Sequence, residues 1–206
     1  MNGLRTWSRS PLFAAATVAL FVFSGCGGGG TAADVARQTA GTAATGGVEN
    51  ALPAFAVDAE AGIYRSGQPT RADFERLAAA GFKSVLNLRY YHGDAGLLAG
   101  LPLTEYRLRL NAGEMTEADL VAALTIVRDA PKPLLIHCLH GADRTGAVVA
   151  AYRVVFQDYS SAAAVEEMRR FGTHSFWYKN LPRLILGINR ERFTTELAKT
   201  AQSVER

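Results

Sequence analysis

Short apolar segments alternate with amphipathic ones from about residue 55 onwards, and this pattern predicts alternating strands and helices. Apolar segments of strand length occupy four places, the first of which ends in a turn: 63–69, 83–89, 105–110 and 133–136. Segments with helical spacing occupy three places: 70–80, 116–128 and 147 onwards. Thr70 with Asp73 can cap the first helix and Gly81 ends it, while Glu117 and Asp119 favour the start of the second. The alternation predicts a single α/β domain, in which a central twisted sheet is flanked by helices and ligands bind at the carboxyl ends of strands.

The first 26 residues have the pattern of an export signal. Arg5 and Arg9 precede an apolar run over 11–23 that is too short to span a bilayer as a helix without help. The segment that ends in Cys26 resembles a bacterial lipobox, whose cysteine is lipidated and becomes the mature N-terminus. Phe23 stands where that motif usually has leucine, so ordinary secretion with cleavage nearby is the alternative.

Behind this signal, the chain divides into a tether and a folded domain. Residues 27–51 are rich in Gly, Ala and Thr, lack aromatic residues and have no apolar period, which predicts a flexible tether. The predicted organisation is a signal peptide with a lipobox over 1–26, a tether over 27–51 and one globular domain over 52–206. Such a protein is exported, faces the periplasm or the cell exterior, and contacts a membrane only through its N-terminal lipid.

The charge of the chain argues against polyanionic partners. The formal net charge is +3 at pH 7, and removal of residues 1–25, which hold two arginines and no acidic residue, would lower it to +1. This balance disfavours a nucleic-acid partner or a polybasic membrane surface. If Cys26 is acylated, Cys138 is the one free thiol of the mature chain, so no intramolecular disulfide can form in an oxidising compartment.

The strongest candidate chemistry lies in the ten residues 137–146, which read His-Cys-Leu-His-Gly-Ala-Asp-Arg-Thr-Gly. They connect the predicted strand at 133–136 to the helix that follows. A loop in this position faces the unpaired N–H groups and the positive dipole end of the helix, which favours both a bound phosphate and a thiolate at Cys138. Arg144 can offer two parallel hydrogen bonds to phosphate oxygens while loop amides bind the third oxygen. The segment is therefore predicted to be an anion-binding loop with a nucleophile at its base.

This segment resembles the signature of the cysteine-dependent protein tyrosine and dual-specificity phosphatases. Three further blocks, 64–69, 85–89 and 167–172, resemble parts of a bacterial dual-specificity-phosphatase-like family, and together the blocks cover roughly 55–190. The resemblance implies a protein tyrosine phosphatase-like fold and hydrolysis of phosphomonoesters through a cysteinyl-phosphate intermediate. It also implies that no metal or cofactor takes part, and that the partner is a phosphorylated protein or a small phosphorylated molecule.

The resemblance carries over to individual residues of the loop. It implies that Cys138 is the nucleophile, that Arg144 binds phosphate and stabilises the transition state, and that the Thr145 hydroxyl donates to the thiolate, with a helix N-cap as the alternative role. His137 would orient the loop backbone and support the thiolate. The remaining loop positions would surround the phosphate: Leu139, His140, Gly141, Ala142 and Gly146. Outside the loop, His174 is predicted to be a surface histidine, with the mouth of the pocket as its alternative place.

The general acid is the open question, because an aspartate is usual on a loop 25–35 residues before the cysteine in this family. Here that loop, 110–116, contains no aspartate. Asp143 is the preferred candidate, since the matching position has been assigned this role in myotubularin-like lipid phosphatases and in certain secreted bacterial phosphatases. Glu114 is the second candidate. Their other interpretations are a carboxylate that orients Arg144 and a charge at a helix N-terminus.

Two alternatives to a protein tyrosine or dual-specificity phosphatase remain. One is a phosphatase for inositol or sugar phosphates, although Ala142 occupies a position where lipid-active relatives often have lysine. The other is an exported phosphate-binding module without turnover, since the usual acid is missing. Turnover of an aryl phosphate distinguishes the second from an enzyme, because phenols leave without much help from an acid.

Overall fold

The computed structural model describes residues 54–174 and 177–204, all within the second of two compact units, which runs from Gly41 to Arg206. The predicted signal peptide, the tether and Cys26 lie outside the described residues. In the part of the chain that is described, no helix is both long and apolar enough to cross a membrane.

Five strands form one sheet, with bounds β1 Phe55–Asp58, β2 Ile63–Ser66, β3 Ser84–Arg89, β4 Thr104–Leu110 and β5 Leu134–His137. Their order across the sheet is β1-β2-β5-β3-β4; β1 is antiparallel to β2 and all other neighbours are parallel. The four predicted strands are present. The pattern does not predict β1, because a strand of four residues at an edge of the sheet is too short to show a period.

The described residues contain seven helices, the first three of which lie between strands. Their bounds are α1 Arg71–Ala79, α2 Ala95–Leu98, α3 Glu117–Asp129, α4 Asp143–Phe156, α5 Ser161–Arg170, α6 Asn180–Leu186 and α7 Arg190–Val204. Thr70 and Thr116 each form a capping box at the start of α1 and α3, as their spacing to Asp73 and Asp119 predicts. The start predicted for α4 is wrong. This helix begins at Asp143 rather than near residue 147, so residues 143–146 form its first turn.

Alternate residues of the central strands face two separate cores. Leu86, Leu134 and Ile136 belong to a core shared with α3 to α7, whereas Val85 and Leu135 belong to one shared with α1. Both faces of β3 and β5 are therefore covered, which explains why these strands are buried almost throughout instead of alternating between buried and exposed positions. This is the predicted α/β arrangement of a central sheet flanked by helices.

The order of the strands places the 137–146 segment at the middle of the sheet. His137 ends β5 and pairs in register with Ser66 at the end of β2 on one side and with Asn87 near the end of β3 on the other. Groups that follow β2 and β3 consequently lie next to the loop after β5, at the carboxyl edge where ligands bind in such sheets.

Candidate active site

A loop of five residues, 138–142, joins the end of β5 to the start of α4. Gly141 adopts a left-handed conformation with φ of 72°, and a methyl group there would lie 2.6 Å from the Ser66 carbonyl oxygen. The turn after β2 contacts the loop from the other side, because the Gln68 amide donates to the Leu139 carbonyl oxygen at 3.0 Å. The loop is thus fixed by its two ends and by the backbone of residues 66–68.

Cys138 is the first residue of this loop and has a free thiol that is 2% exposed. It lies at the base of the loop, next to the amide groups of the first turn of α4, which have no partners within the helix. Two arginines flank this environment. Arg144 is in the first turn of α4, and Arg65 comes from β2 behind the loop.

Arg65 is a buried cation that the sequence pattern does not reveal. Its side chain is 2% exposed, donates from Nη2 to the Gly141 carbonyl oxygen at 2.6 Å and lies over the Phe171 ring at 4.0 Å. Burial lowers the pKa of Arg65 to about 10, and the charges of Glu167 and Cys138 oppose that fall. Arg65 therefore stays protonated at neutral pH, holds the loop from behind and places positive charge near the thiol.

His137 connects the loop to a buried carboxylate. Its imidazole is fully buried, with Nε2 2.8 Å from Asp94 Oδ2 and Nδ1 3.2 Å from the Cys138 carbonyl oxygen. Asp94 is also fully buried, and its other oxygen accepts from Arg89 Nη2 at 2.7 Å and from Gln68 Nε2 at 3.0 Å. The position of His137 fits the role that the family resemblance implies for it, which is to orient the loop backbone.

The carboxylate form of Asp94 is stabilised by its partners. Burial alone would raise the pKa of Asp94, but hydrogen bonds from His137 and Gln68 and the charges of His137 and Arg89 lower it below its usual value. Sequence reasoning does not identify Asp94, because it lies between β3 and α2 in a segment without a periodic pattern. The one available signal is its acidic character five residues after the block 85–89, which resembles the phosphatase family.

A cavity of about 240 Å³ opens in front of the loop. Its wall includes Leu139, His140, Asp143, Arg144 and His174. Arg144 is half-buried, and its Nη1 donates to the Leu110 carbonyl oxygen at a long 3.4 Å. Its Nε is buried and has no hydrogen-bond partner among the described residues. Because buried polar groups normally have partners, this guanidinium is suited to bind an anion in the cavity.

Asp143 and His174 form a close pair on the cavity wall. Asp143 is 7% exposed and accepts from the His174 backbone amide at 2.7 Å through Oδ1, while its Oδ2 is 2.8 Å from His174 Nδ1. His174 is exposed, as the interpretation preferred from the sequence expects, and it also lies on the cavity wall, which was its alternative place. Asp143 makes hydrogen bonds to His174, and none to Arg144 is present among the described residues. Its alternative role of orienting Arg144 stays a prediction.

The other predicted loop residues are placed as follows. Thr145 is fully buried, and its hydroxyl has no hydrogen-bond partner in the part of the chain described. It therefore does not donate to the Cys138 thiol in this structure. Its alternative role as N-cap is wrong, because Ala142 occupies that position. Gly146 faces α5 and the segment after it, where a methyl group would lie 2.9 Å from Met168 Cγ. Gly141, Ala142 and Gly146 do not contribute to the cavity wall and can reach a ligand there only through their backbone.

Glu114 lies in the turn between β4 and α3. It is exposed, and its backbone amide donates to the Asn111 carbonyl oxygen at 3.0 Å. It precedes the first turn of α3 and is not part of the cavity wall, whereas Ala112 from the same turn is. The structure therefore brings Asp143 next to the 138–142 loop and onto the cavity wall but does not bring Glu114 there.

The cavity wall also contains a group of possible metal ligands. One nitrogen each from His140 and His174 and one oxygen from Asp143 lie within 4.8 Å of one another, a set of donors that transition metals accept. The Asp143 and His174 atoms of this group already form a hydrogen bond with each other. Assays of this site accordingly require a chelator, so that adventitious metal does not occupy these side chains.

Comparison with known proteins agrees with this architecture. The model of the family described as "DSP-PTPase phosphatase fused to NAD+ Kinase" matches residues 44–181. The chain belongs to this family. It is also 32% identical over 112 residues to the dual specificity protein phosphatase TpbA of Pseudomonas aeruginosa strain UCBPP-PA14, an alignment that covers 53% of this chain and 51% of TpbA. The chain thus matches about half the length of this curated relative.

Two crystal structures resemble the domain. P. aeruginosa TpbA with its cysteine replaced by serine, in complex with pTyr, is 26% identical, with a TM-score of 0.60 and coverage of 70% of this chain and 95% of that chain. The core catalytic domain of the PP-IP phosphatase SIW14 from S. cerevisiae, in complex with citrate, is 25% identical, with a TM-score of 0.61 and coverage of 73% and 93%. The predicted protein tyrosine phosphatase-like fold is confirmed.

Replacing Gly141 with alanine should disable the loop. The added methyl group would lie 2.6 Å from the Ser66 carbonyl oxygen and 2.7 Å from the Gly67 amide nitrogen, and neither backbone atom can rotate away. We expect affinity for vanadate, measured by calorimetry, to fall about 10²-fold, because a shift of about 1 Å in a catalytic loop has effects of that size. Gly96→Ala is the matched control, since its methyl group would have no neighbour within 4 Å. Unchanged vanadate affinity in Gly141→Ala would show that the loop tolerates displacement.

Replacing Asp94 with asparagine should lower stability in a pH-dependent way. At pH 7 the variant leaves Arg89 without its carboxylate, and we expect the free energy of unfolding in urea to fall by about 3–5 kcal/mol. Because the pKa of Asp94 is lowered in the folded state, this contribution is complete above about pH 4 and is lost as pH falls further, through the folded-state pKa. Asp129→Asn, which breaks an exposed pair with Arg128, is the control and should cost about 0–1 kcal/mol. A difference between wild type and Asp94→Asn that is constant from pH 7 to pH 3 would contradict this account.

Proposed function

We propose that the protein is a phosphomonoester hydrolase with a thiol nucleophile and that it acts as a protein tyrosine or dual-specificity phosphatase. The observation that carries the proposal is the arrangement of Cys138 as the first residue of a loop that ends at a helix N-terminus, with Arg144 in the first turn of that helix and on the wall of the adjacent cavity. Membership of a phosphatase family and the phosphatase named as its relative support the same activity.

The reaction would proceed by double displacement. The substrate phosphate binds at the start of α4, with the loop amides and the Arg144 guanidinium around its oxygens. Cys138 Sγ attacks phosphorus, the bond to the leaving oxygen breaks, and that oxygen takes a proton from an acid. Water then attacks the cysteinyl phosphate, which releases inorganic phosphate and restores the thiolate. Arg144 stabilises the charge that develops on the phosphoryl oxygens in both steps.

Phosphotyrosine is the substrate class that we favour. The related TpbA has been crystallised with pTyr, and the cavity of this chain has Leu139 and Trp177 exposed at its wall, where an aromatic ring can pack. Comparison of turnover on phosphotyrosine peptides, phosphoserine peptides and inositol phosphates tests this choice directly, and a preference for inositol phosphates would favour the alternative enzyme class.

We further propose that the protein is exported and anchored by a lipid on Cys26. The support is the sequence pattern of 1–26 and the Gly- and Ala-rich segment that follows it. In this arrangement the folded domain acts outside the cytoplasm, and its contact with the membrane is confined to the N-terminal lipid.

Activity should depend on Cys138 and on the shape of the Arg144 side chain. We expect the purified domain to hydrolyse p-nitrophenyl phosphate in chelator, and Cys138→Ser to abolish turnover because a hydroxyl is a far weaker nucleophile at neutral pH. Arg144→Lys should also be severely impaired, since a point charge cannot make two parallel hydrogen bonds to phosphate. Arg170→Lys, at an exposed site on α5, is the control and should keep wild-type turnover. Activity that survives in Cys138→Ser would overturn the mechanism.

Lipidation should depend on Cys26. Metabolic labelling of the full chain with a fatty-acid analogue should tag the wild type and not Cys26→Ala, with Cys138→Ala as the matched cysteine control that remains labelled. A labelled Cys26→Ala protein, or an unlabelled wild type with a mature N-terminus elsewhere, would refute the lipid anchor.

A further inference from the structure

The geometry points to a proton donor that the sequence pattern does not identify: we propose that His174 protonates the leaving oxygen and that Asp143 positions it. This inference rests on the proposed phosphatase function and adds the missing acid to it. It replaces the prediction that Asp143 itself is the acid.

The contacts of Asp143 argue against its being the donor. An acid must present a proton to the leaving oxygen, but both carboxylate oxygens of Asp143 already face nitrogen atoms of His174, at 2.7 and 2.8 Å. The backbone amide among these is a fixed donor, so Oδ1 must accept. A carboxylate that accepts at both oxygens is arranged to hold a neighbouring imidazole, as the aspartate does in a Ser-His-Asp triad.

The contacts of His174 leave one ring nitrogen for the substrate. Nδ1 faces Asp143, whereas Nε2 has no hydrogen-bond partner among the described residues, and the side chain is 46% exposed on the cavity wall that it shares with Arg144. When Nδ1–H is donated to Asp143, a second proton on Nε2 makes the ring an imidazolium, which is the form that can donate to a leaving oxygen. His174 therefore has the requirements of a general acid: a held ring, a free nitrogen and a place beside the phosphate-binding arginine.

The backbone around His174 is fixed, which a proton donor needs in order to meet the leaving oxygen. The His174 carbonyl oxygen accepts from the Trp177 and Tyr178 amides, both at 2.9 Å. The preceding Thr173 hydroxyl is 2.8 Å from the Met168 carbonyl oxygen and 3.4 Å from that of Ala142, the N-cap of α4. The segment that carries His174 is thus attached both to the end of α5 and to the anion-binding loop itself.

The two steps balance in protons. When Cys138 Sγ attacks phosphorus, the bond to the leaving oxygen breaks with its electron pair on oxygen, and His174 Nε2 gives that oxygen its proton. The neutral imidazole then accepts a proton at Nε2 from the water that attacks the cysteinyl phosphate. The phosphorus–sulfur bond breaks, the thiolate returns and His174 is again the cation, so one residue serves as acid and then as base.

The test is the dependence of rate on the leaving group. For His174→Asn, we expect kcat/KM to fall about 10²–10⁴-fold on alkyl phosphates and on phenyl phosphates with weakly acidic phenols. The loss should shrink steadily along a series of aryl phosphates towards the most acidic phenols, because these leave without a proton. Vanadate affinity should not change. His92→Asn is the matched control, since His92 is exposed and away from the cavity wall, and it should behave as wild type.

The leaving-group dependence of Asp143→Asn tests the positioning role of Asp143. If it positions His174, Asp143→Asn should show a weaker leaving-group dependence than His174→Asn, and the double variant should lose no more than His174→Asn alone. A steep dependence in Asp143→Asn together with a uniform loss in His174→Asn would make Asp143 the donor and overturn the proposal. A steep dependence in Glu114→Gln would overturn it too and would place the acid after β4.

The measurements also separate a structural role of His174, a folding defect and a failure of the proposed function. A uniform loss over the whole series in His174→Asn, with weakened vanadate binding, would assign His174 a structural role and refute the inference. His174→Gln and thermal unfolding of both variants guard against a folding defect, which would also appear as loss of vanadate binding. If wild type hydrolyses none of the phosphates and forms no cysteinyl phosphate, the proposed function itself fails, independently of His174.

Discussion

The five-residue connection from β5 to α4 is the constraint on which the site depends. Both elements that it joins are buried, so the loop has little freedom at either end. Gly141 has to turn within contact distance of the Ser66 and Gly67 backbone, which only a residue without a side chain can do. The same short connection places Cys138 beneath the first turn of α4 and starts the helix at Asp143, so that Arg144 projects from the first turn towards the cavity.

Buried charged side chains hold this loop in place. Arg65 reaches the loop from β2, and Asp94 reaches it through His137. Groups of this kind cost free energy to bury unless each is paired, and here they are paired mainly with one another and with backbone carbonyl groups. Arg65 Nη1 is an exception, since it has no hydrogen-bond partner among the described residues and instead belongs to a guanidinium stacked over Phe171. The loop is therefore supported by buried charged groups at the carboxyl edge of the sheet.

Much of the fold was accessible from local patterns. Apolar residues occur on both faces of β3 and β5, because both faces of these strands are covered. The capping boxes at Thr70 and Thr116 mark the starts of α1 and α3 in four residues each. The elements that the pattern does not predict are short or lie towards the C-terminus, such as α2 with four residues and α6, which contains Pro182. The start of α4 was misplaced because Gly146 looks like a loop residue; in the structure it lies in a helix, where its lack of a side chain allows α5 to pack closely.

The sequence by itself singled out the candidate nucleophile, the candidate phosphate-binding arginine and the loop between them, because these residues are contiguous and the prediction follows from their spacing along one strand, one turn and one helix. Only the tertiary structure decided which distant residues complete the site. Asp94, Arg65 and His174 lie 43, 76 and 31 residues from their partners His137, Gly141 and Asp143. No local pattern encodes such pairs, since they form only when the order of parallel strands and the packing of α5 against α4 bring separate segments to one edge of the sheet.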